Sequence, residues 1–169
     1  MQLLSLAIRL VVLCTLSWLA VVDVRSRRLP TKPVLAIGAL FFADALALHL
    51  SFGDVIAHLA MALVVFLVCA ALFAAKMLGG GDAKLAAVIF LWAGLPLSWP
   101  ALTLISVIGT VVSLVSLATR NMDPHHRLAA MRALAMFSGA RGVPYGVALA
   151  AGGGTVIVLP ALLPLILTR

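Results

Sequence analysis

The chain has 169 residues, 64% of them hydrophobic and 10% charged, with a mean hydropathy of +1.24. Soluble domains carry about a quarter charged residues, so an ordinary water-soluble fold is excluded and an all-α, polytopic membrane protein embedded in lipid is expected. A net charge of +7 suits a nucleic-acid binder, but the bases sit in the gaps between apolar runs, where cytoplasmic loops collect them, and no nucleic-acid partner is expected.

Residues 3–22 form the first apolar run, long enough for the ~20 residues that a bilayer crossing needs. Arg9 lies inside it and no small-residue cleavage site follows, which argues against a signal peptide. As a lone charge in the outer third of the run, Arg9 is expected to snorkel. The run ends in Asp23-Val24-Arg25-Ser26-Arg27-Arg28-Leu29-Pro30-Thr31-Lys32, where four bases surround a proline that stops a helix.

Residues 33–50 form the second run, with Asp44 partway along it. Ser51-Phe52-Gly53-Asp54 is a turn with Asp54 as N-cap. The third run, 55–78, has Lys76 at its cytoplasmic end. Gly79-Gly80-Gly81-Asp82-Ala83-Lys84 follows. Glycines permit positive φ and close backbone approach, so this stretch leads tightly into a helix and delivers Asp82 in its first turn. A carboxylate at the membrane margin points to function, and the plainer alternative is an N-cap.

The fourth run, 83–98, is short: about sixteen residues cover roughly 24 Å, less than the ~30 Å hydrocarbon core. It ends at a Pro96–Pro100 turn, and 101–119 is the fifth run. Residues 120–142 form a basic cytoplasmic loop, in which Asp123-Pro124 starts a surface helix with Leu128, Met131 and Ala135 on one face. His125 and His126 are adjacent and diverge, with no third ligand nearby, so no metal site and no cofactor are expected. The last run, 143–167, is interrupted by Gly152-Gly153-Gly154, Pro160 and Pro164. Six spans put both termini outside and all ten bases from Arg25 to Arg141 inside, leaving Arg9 and Arg169 elsewhere. Cys14 and Cys69 are apolar fillers, and Trp18, Trp92 and Trp99 read as interfacial anchors.

On this topology Asp23 ends the first span and Asp82 begins the fourth at the same face, where neighbouring spans would bring them together. Two adjacent carboxylates share one proton, so one can accept a proton from water while the other donates to a carbonyl. That is aspartic proteolysis. Asp44 lies about half a bilayer away and is left outside the pair, as a hydrogen-bonded or proton-bearing group facing the bundle. The plain alternative for Asp23 is a solvated charge balanced by Arg25 and Arg27.

These residues resemble a family. Gly79-x-Gly81-Asp82, followed by Lys84, is similar to the GxGD-x-K signature of the type IV prepilin peptidases. Asp23-Val24-Arg25-Ser26-Arg27-Arg28-Leu29-Pro30 resembles that family's first aspartate motif, with Leu for the usual Ile and Thr31 where Asn is frequent. Pro144-Tyr145-Gly146 resembles the segment opening its last span. The resemblance implies that 1–169 is one transmembrane peptidase domain with Asp23 and Asp82 catalytic. It implies supporting roles for Gly79, Gly81, Lys84, Arg25, Pro144, Tyr145 and Gly146. It further implies removal of prepilin leaders at the cytoplasmic face of the inner membrane, without a metal. Larger members carry an N-terminal cytoplasmic segment with paired cysteines and also N-methylate the new terminus. This chain is similar to the short peptidases of Tad/Flp pilus systems, for which no methylation is expected. Two readings compete: a small transporter or channel component using Asp44 and Asp23, and a structural subunit of a secretion machine. Neither accounts for the triple glycine or for two aspartates at one face.

Overall fold

The computed structural model describes residues 2–120 and 143–167. The expected surface helix, with Asp123-Pro124 and His125-His126, lies outside the described residues. Among the described residues five helices follow in order: α1 Gln2–Ser26, α2 Thr31–Ala47, α3 Phe52–Ala74, α4 Gly80–Ala118 and α5 Tyr145–Leu167. There is no strand among the described residues.

Among the described residues four helices, α1, α3, α4 and α5, are long and apolar enough to cross a membrane, against the six runs expected. Two features account for the difference. With 17 residues, α2 reaches only about 26 Å. The runs 83–98 and 101–119 are one 39-residue helix that is kinked but not interrupted by a loop. The kink falls at Gly94 (φ 58°, ψ −168°), ahead of the expected proline turn. The reason is backward reach: Pro96 lacks an N–H and its ring excludes the carbonyl four residues earlier, so regular helix fails before the proline. Pro96 then lies in the first turn after the break, where a missing N–H does no harm. A Cβ at Gly94 would lie 2.5 Å from His58 of α3, whose Nδ1 hydrogen-bonds the Leu91 carbonyl at 2.7 Å.

Three helices end on a non-glycine residue in the left-handed region: Arg27 (φ 53°) after α1, His49 (φ 53°) after α2 and Lys76 (φ 60°) after α3. The Lys76 and Met77 N–H groups donate back to Phe73 and Leu72, closing α3 at Ala74, short of the expected 78. At the other end of α3 the N-cap is Ser51, whose hydroxyl accepts from the Asp54 N–H at 3.1 Å, so Asp54 is not the cap.

The glycines of α5 do not interrupt it. They are sites of close packing. Successive residues point about 100° apart, and a Cβ at Gly152, Gly153 or Gly154 would strike Ile105, Ile89 or Leu13 at 2.7–2.8 Å. Ile89 and Ile105 belong to the two halves of α4 and Leu13 to α1, so α5 is wedged between the helices that carry the two candidate aspartates. By contrast, α3 has no buried residue. Trp18 and Trp99 are exposed, as anchors should be, whereas Trp92 is buried and donates Nε1–H to the Ile37 carbonyl of α2 at 3.0 Å.

Candidate active site

Asp23 sits in the last turn of α1, 6% exposed, so it is not a solvated charge. Its Oδ2 accepts the Gly146 N–H at 2.9 Å. Gly146 is the second residue of α5, and the first N–H groups of a helix have no partner of their own. A carboxylate from α1 therefore caps the start of α5, 123 residues away in sequence. A Cβ at Gly146 would stand 2.7 Å from that oxygen, so the bond needs glycine. Pro144 is fully buried and its carbonyl accepts from Val147 N–H at 3.2 Å, turning the chain into α5. Tyr145 is exposed, with its ring edge beside Gly109 of α4.

Asp82 is the third residue of α4, so Gly79 and not Asp82 holds the cap position, yet the carboxylate still reaches back to the Gly79 backbone N–H as an acceptor at the helix start. Its carboxylate folds back over Gly79, where a Cβ would lie 2.6 Å from Oδ2. A Cβ at Gly81 would lie 2.8 Å from Leu29 Cβ, so the loop after α1 packs directly on the start of α4. None of the three glycines has positive φ: Gly79 is extended, at φ −73° and ψ 141°. They are required for space, and the expectation of unusual dihedrals is corrected.

Asp23 and Asp82 line one cleft of about 250 Å³, with Arg27, Arg28, Leu29 and Gly79–Gly81. The charge of Asp23 acts on Asp82 across it, and the Arg27 guanidinium acts on Asp23. Helix ends thus bring together Asp23, Asp82, Gly79, Gly81 and Gly146, with Pro144 behind. Lys84 is exposed and turned aside, its Nζ donating to Thr31 Oγ1 of α2 at 3.3 Å. Arg25 is exposed and does not line the cleft. Arg28, Leu29 and Gly80 carry no assignment from the sequence, and Arg27 only that of a balancing charge, although all lie within the two motifs. Only a contact between the motifs, such as Leu29 on Gly81, distinguishes them.

Among the described residues no three His, Cys, Asp or Glu side chains cluster as a metal site requires. Pro160 and Ala161 line a different cavity, with Arg9 and Gln2. Two carboxylates in a partly enclosed cleft, each beside a backbone N–H, have the composition that acid–base work on a carbonyl requires. A family model described as the type IV leader peptidase family matches residues 10–114, a span that holds both aspartates and stops short of Pro144. No curated protein and no solved structure matches the chain.

Proposed function

Since the chain belongs to the type IV leader peptidase family, we propose that Asp23 and Asp82 are the catalytic pair of this membrane aspartic endopeptidase. The observation that supports this most directly is that both line one cleft, with Asp23 held by Gly146. One carboxylate takes a proton from water as the oxygen adds to the scissile carbonyl, and its protonated partner donates to the carbonyl oxygen. On collapse of the tetrahedral intermediate a proton passes to the leaving amine, and the pair again shares one proton. Gly79 admits the Asp82 carboxylate and Gly81 admits Leu29, so the two glycines let the start of α4 close against the loop after α1 and hold Asp82 in place. Pro144, Tyr145 and Gly146 set the start of α5 against Asp23. Lys84 ties α4 to α2, and Arg25 takes no part in the chemistry.

The protein is a prepilin peptidase, and membership of the family together with its apolar helices supports a multi-pass, inner-membrane location. Its substrates are prepilin-like or pseudopilin-like proteins, cut at the cytoplasmic face where the basic loops collect. In this topology α2 and both halves of α4 also cross, giving six passages. The transporter alternative used Asp44 and Asp23 as proton or cation sites, but Asp44 is ion-paired with Arg9 at 2.9 Å and Asp23 lines a cleft with a second aspartate instead of a shared path with Asp44.

Co-expression with a prepilin-like substrate tests the assignment: wild type should remove the leader, and Asp82→Asn, at equal membrane level, should not. Continued cleavage by that variant would remove Asp82 from the mechanism. For orientation, a cysteine at Ser26 in a variant lacking Cys14 and Cys69 should resist an impermeant thiol reagent in intact spheroplasts, and one at Ser51 should react. The reverse pattern would place the cleft outside.

A further inference from the structure

Across the bundle from the cleft, Arg9 makes a set of contacts that the peptidase chemistry leaves unexplained. Its Nε and Nη2 donate to Asp44 Oδ2 of α2 at 3.1 and 2.9 Å, and its Nη1 donates to the Ile157 carbonyl of α5 at 2.8 Å. Nε also reaches Ser5 Oγ at 3.2 Å, and the guanidinium carbon lies 5.8 Å from the Trp92 ring centroid of α4. Asp44 is 3% exposed and Arg9 does not snorkel. One guanidinium therefore touches α2, α4 and α5 from α1.

Buried ion pairs are poor stabilisers, because apolar residues of similar size often serve stability as well or better. What such a pair supplies is direction. Within a bilayer the lipid is as apolar as the side chains, so smooth packing fixes register weakly, whereas hydrogen bonds fix it closely. Two directional links join α1 and α5: Asp23 to Gly146 N–H at one end and Arg9 to Ile157 at the other. Between them the contact includes Leu13 against Gly154, which holds no direction. On α1 the links are about 21 Å apart, and on α5 about 16 Å, so together they set both the slide and the rotation of α1. The second catalytic helix is referred to the same α2, through Trp92 to Ile37 and Lys84 to Thr31.

We propose that Arg9 and Asp44 are positioning residues for the peptidase reaction, setting the register of α1 so that Asp23 meets Gly146 and faces Asp82. The proposal rests on the assignment of Asp23 and Asp82 as the catalytic pair. It differs from a merely structural role in what an apolar replacement does. The double variant Arg9→Met/Asp44→Leu should reach wild-type membrane levels with an unchanged or higher melting temperature. Its kcat for leader removal should still fall at least tenfold, with KM within about threefold.

Register is read independently of activity from a cysteine pair at Leu13 and Gly154, in a background without Cys14 and Cys69. Oxidative crosslinking of that pair should drop several-fold when Arg9 and Asp44 are replaced. If the double variant keeps wild-type kcat or unchanged crosslinking, the proposal is overturned. If it fails to accumulate, Arg9→Lys decides: it keeps the charge and loses the planar fork, so it should fold and still lose kcat and crosslinking, and full retention of either overturns the idea. Wild type and Asp82→Asn run alongside: a wild type that does not cleave, or an Asp82→Asn that does, refutes the catalytic assignment, while the crosslinking arm still reports on register.

Discussion

Asp23 and Asp44 are almost equally buried, 6% and 3% exposed, in adjoining helices of one bundle. Asp23 is held by a backbone N–H and lines a cleft with a second carboxylate; Asp44 is clasped by a guanidinium through two hydrogen bonds. Burial therefore does not separate a reactive carboxylate from a structural one. The partners differ: a guanidinium reaching across from α1 clasps Asp44 and leaves it away from any second carboxylate among the described residues, whereas a peptide N–H orients Asp23 beside Asp82 in one cleft.

The sharpest way to break the comparison is one substitution made at both sites. Asp23→Asn and Asp82→Asn should each lower leader removal by at least ~10³-fold, since both halves of the acid–base pair are needed. Asp44→Asn should lower it only about tenfold, through position. Quantitative mass spectrometry of the cut and uncut substrate at matched membrane levels checks all three, and an Asp44→Asn as inert as Asp23→Asn would erase the distinction.

Next in size is Gly146→Ala, whose Cβ would stand 2.7 Å from the Asp23 oxygen. Moving a reacting group by about 1 Å can cost ~10²-fold, and a loss of that order in kcat is expected, with KM nearly unchanged. Gly38→Ala is the control: its Cβ would meet Val88 at an ordinary 3.7 Å, and activity should be unaltered.

What was legible in the sequence was whatever chain neighbours could declare. Asp82 stood out because three glycines precede it, and Asp23 because a basic, proline-ended turn follows. The family match supports the same enzyme class. The links between distant segments were not legible. Nothing in Arg9, 35 residues from Asp44, distinguishes a snorkelling base from one drawn inward by a buried acid. Glycine in α5 signalled a break, yet helix continues because each missing side chain admits a neighbour instead. Trp92 reads as an anchor in the sequence, since period alone does not tell a lipid-facing ring from one facing α2.

A smaller effect is expected at the kink. Gly94→Ala forces a side chain onto a backbone at φ 58° and against His58, and should lower unfolding stability by at least about 1 kcal/mol. A fluorescence melt in detergent measures it, and an unchanged midpoint would mean that the joint relaxes freely. Smallest is Lys84→Ala. Its bond to Thr31 is exposed and 3.3 Å long, so cleavage should fall less than about threefold. A loss near that of Gly146→Ala would instead put Lys84 at the substrate.

The kink also makes the first part of α4 a lever. Asp82 lies twelve residues before Gly94, a helical arm of about 18 Å. A swing of roughly 5° about the joint would carry the carboxylate about 1.5 Å, more than the displacement that separates an aligned reacting group from a misaligned one. His58, seated in the bend and bonded to the Leu91 carbonyl, is the stop at the fulcrum. The stiffness of a histidine packed in the apolar bundle, an arm's length from the cleft, thus bounds how finely the carboxylate at its tip can be aimed.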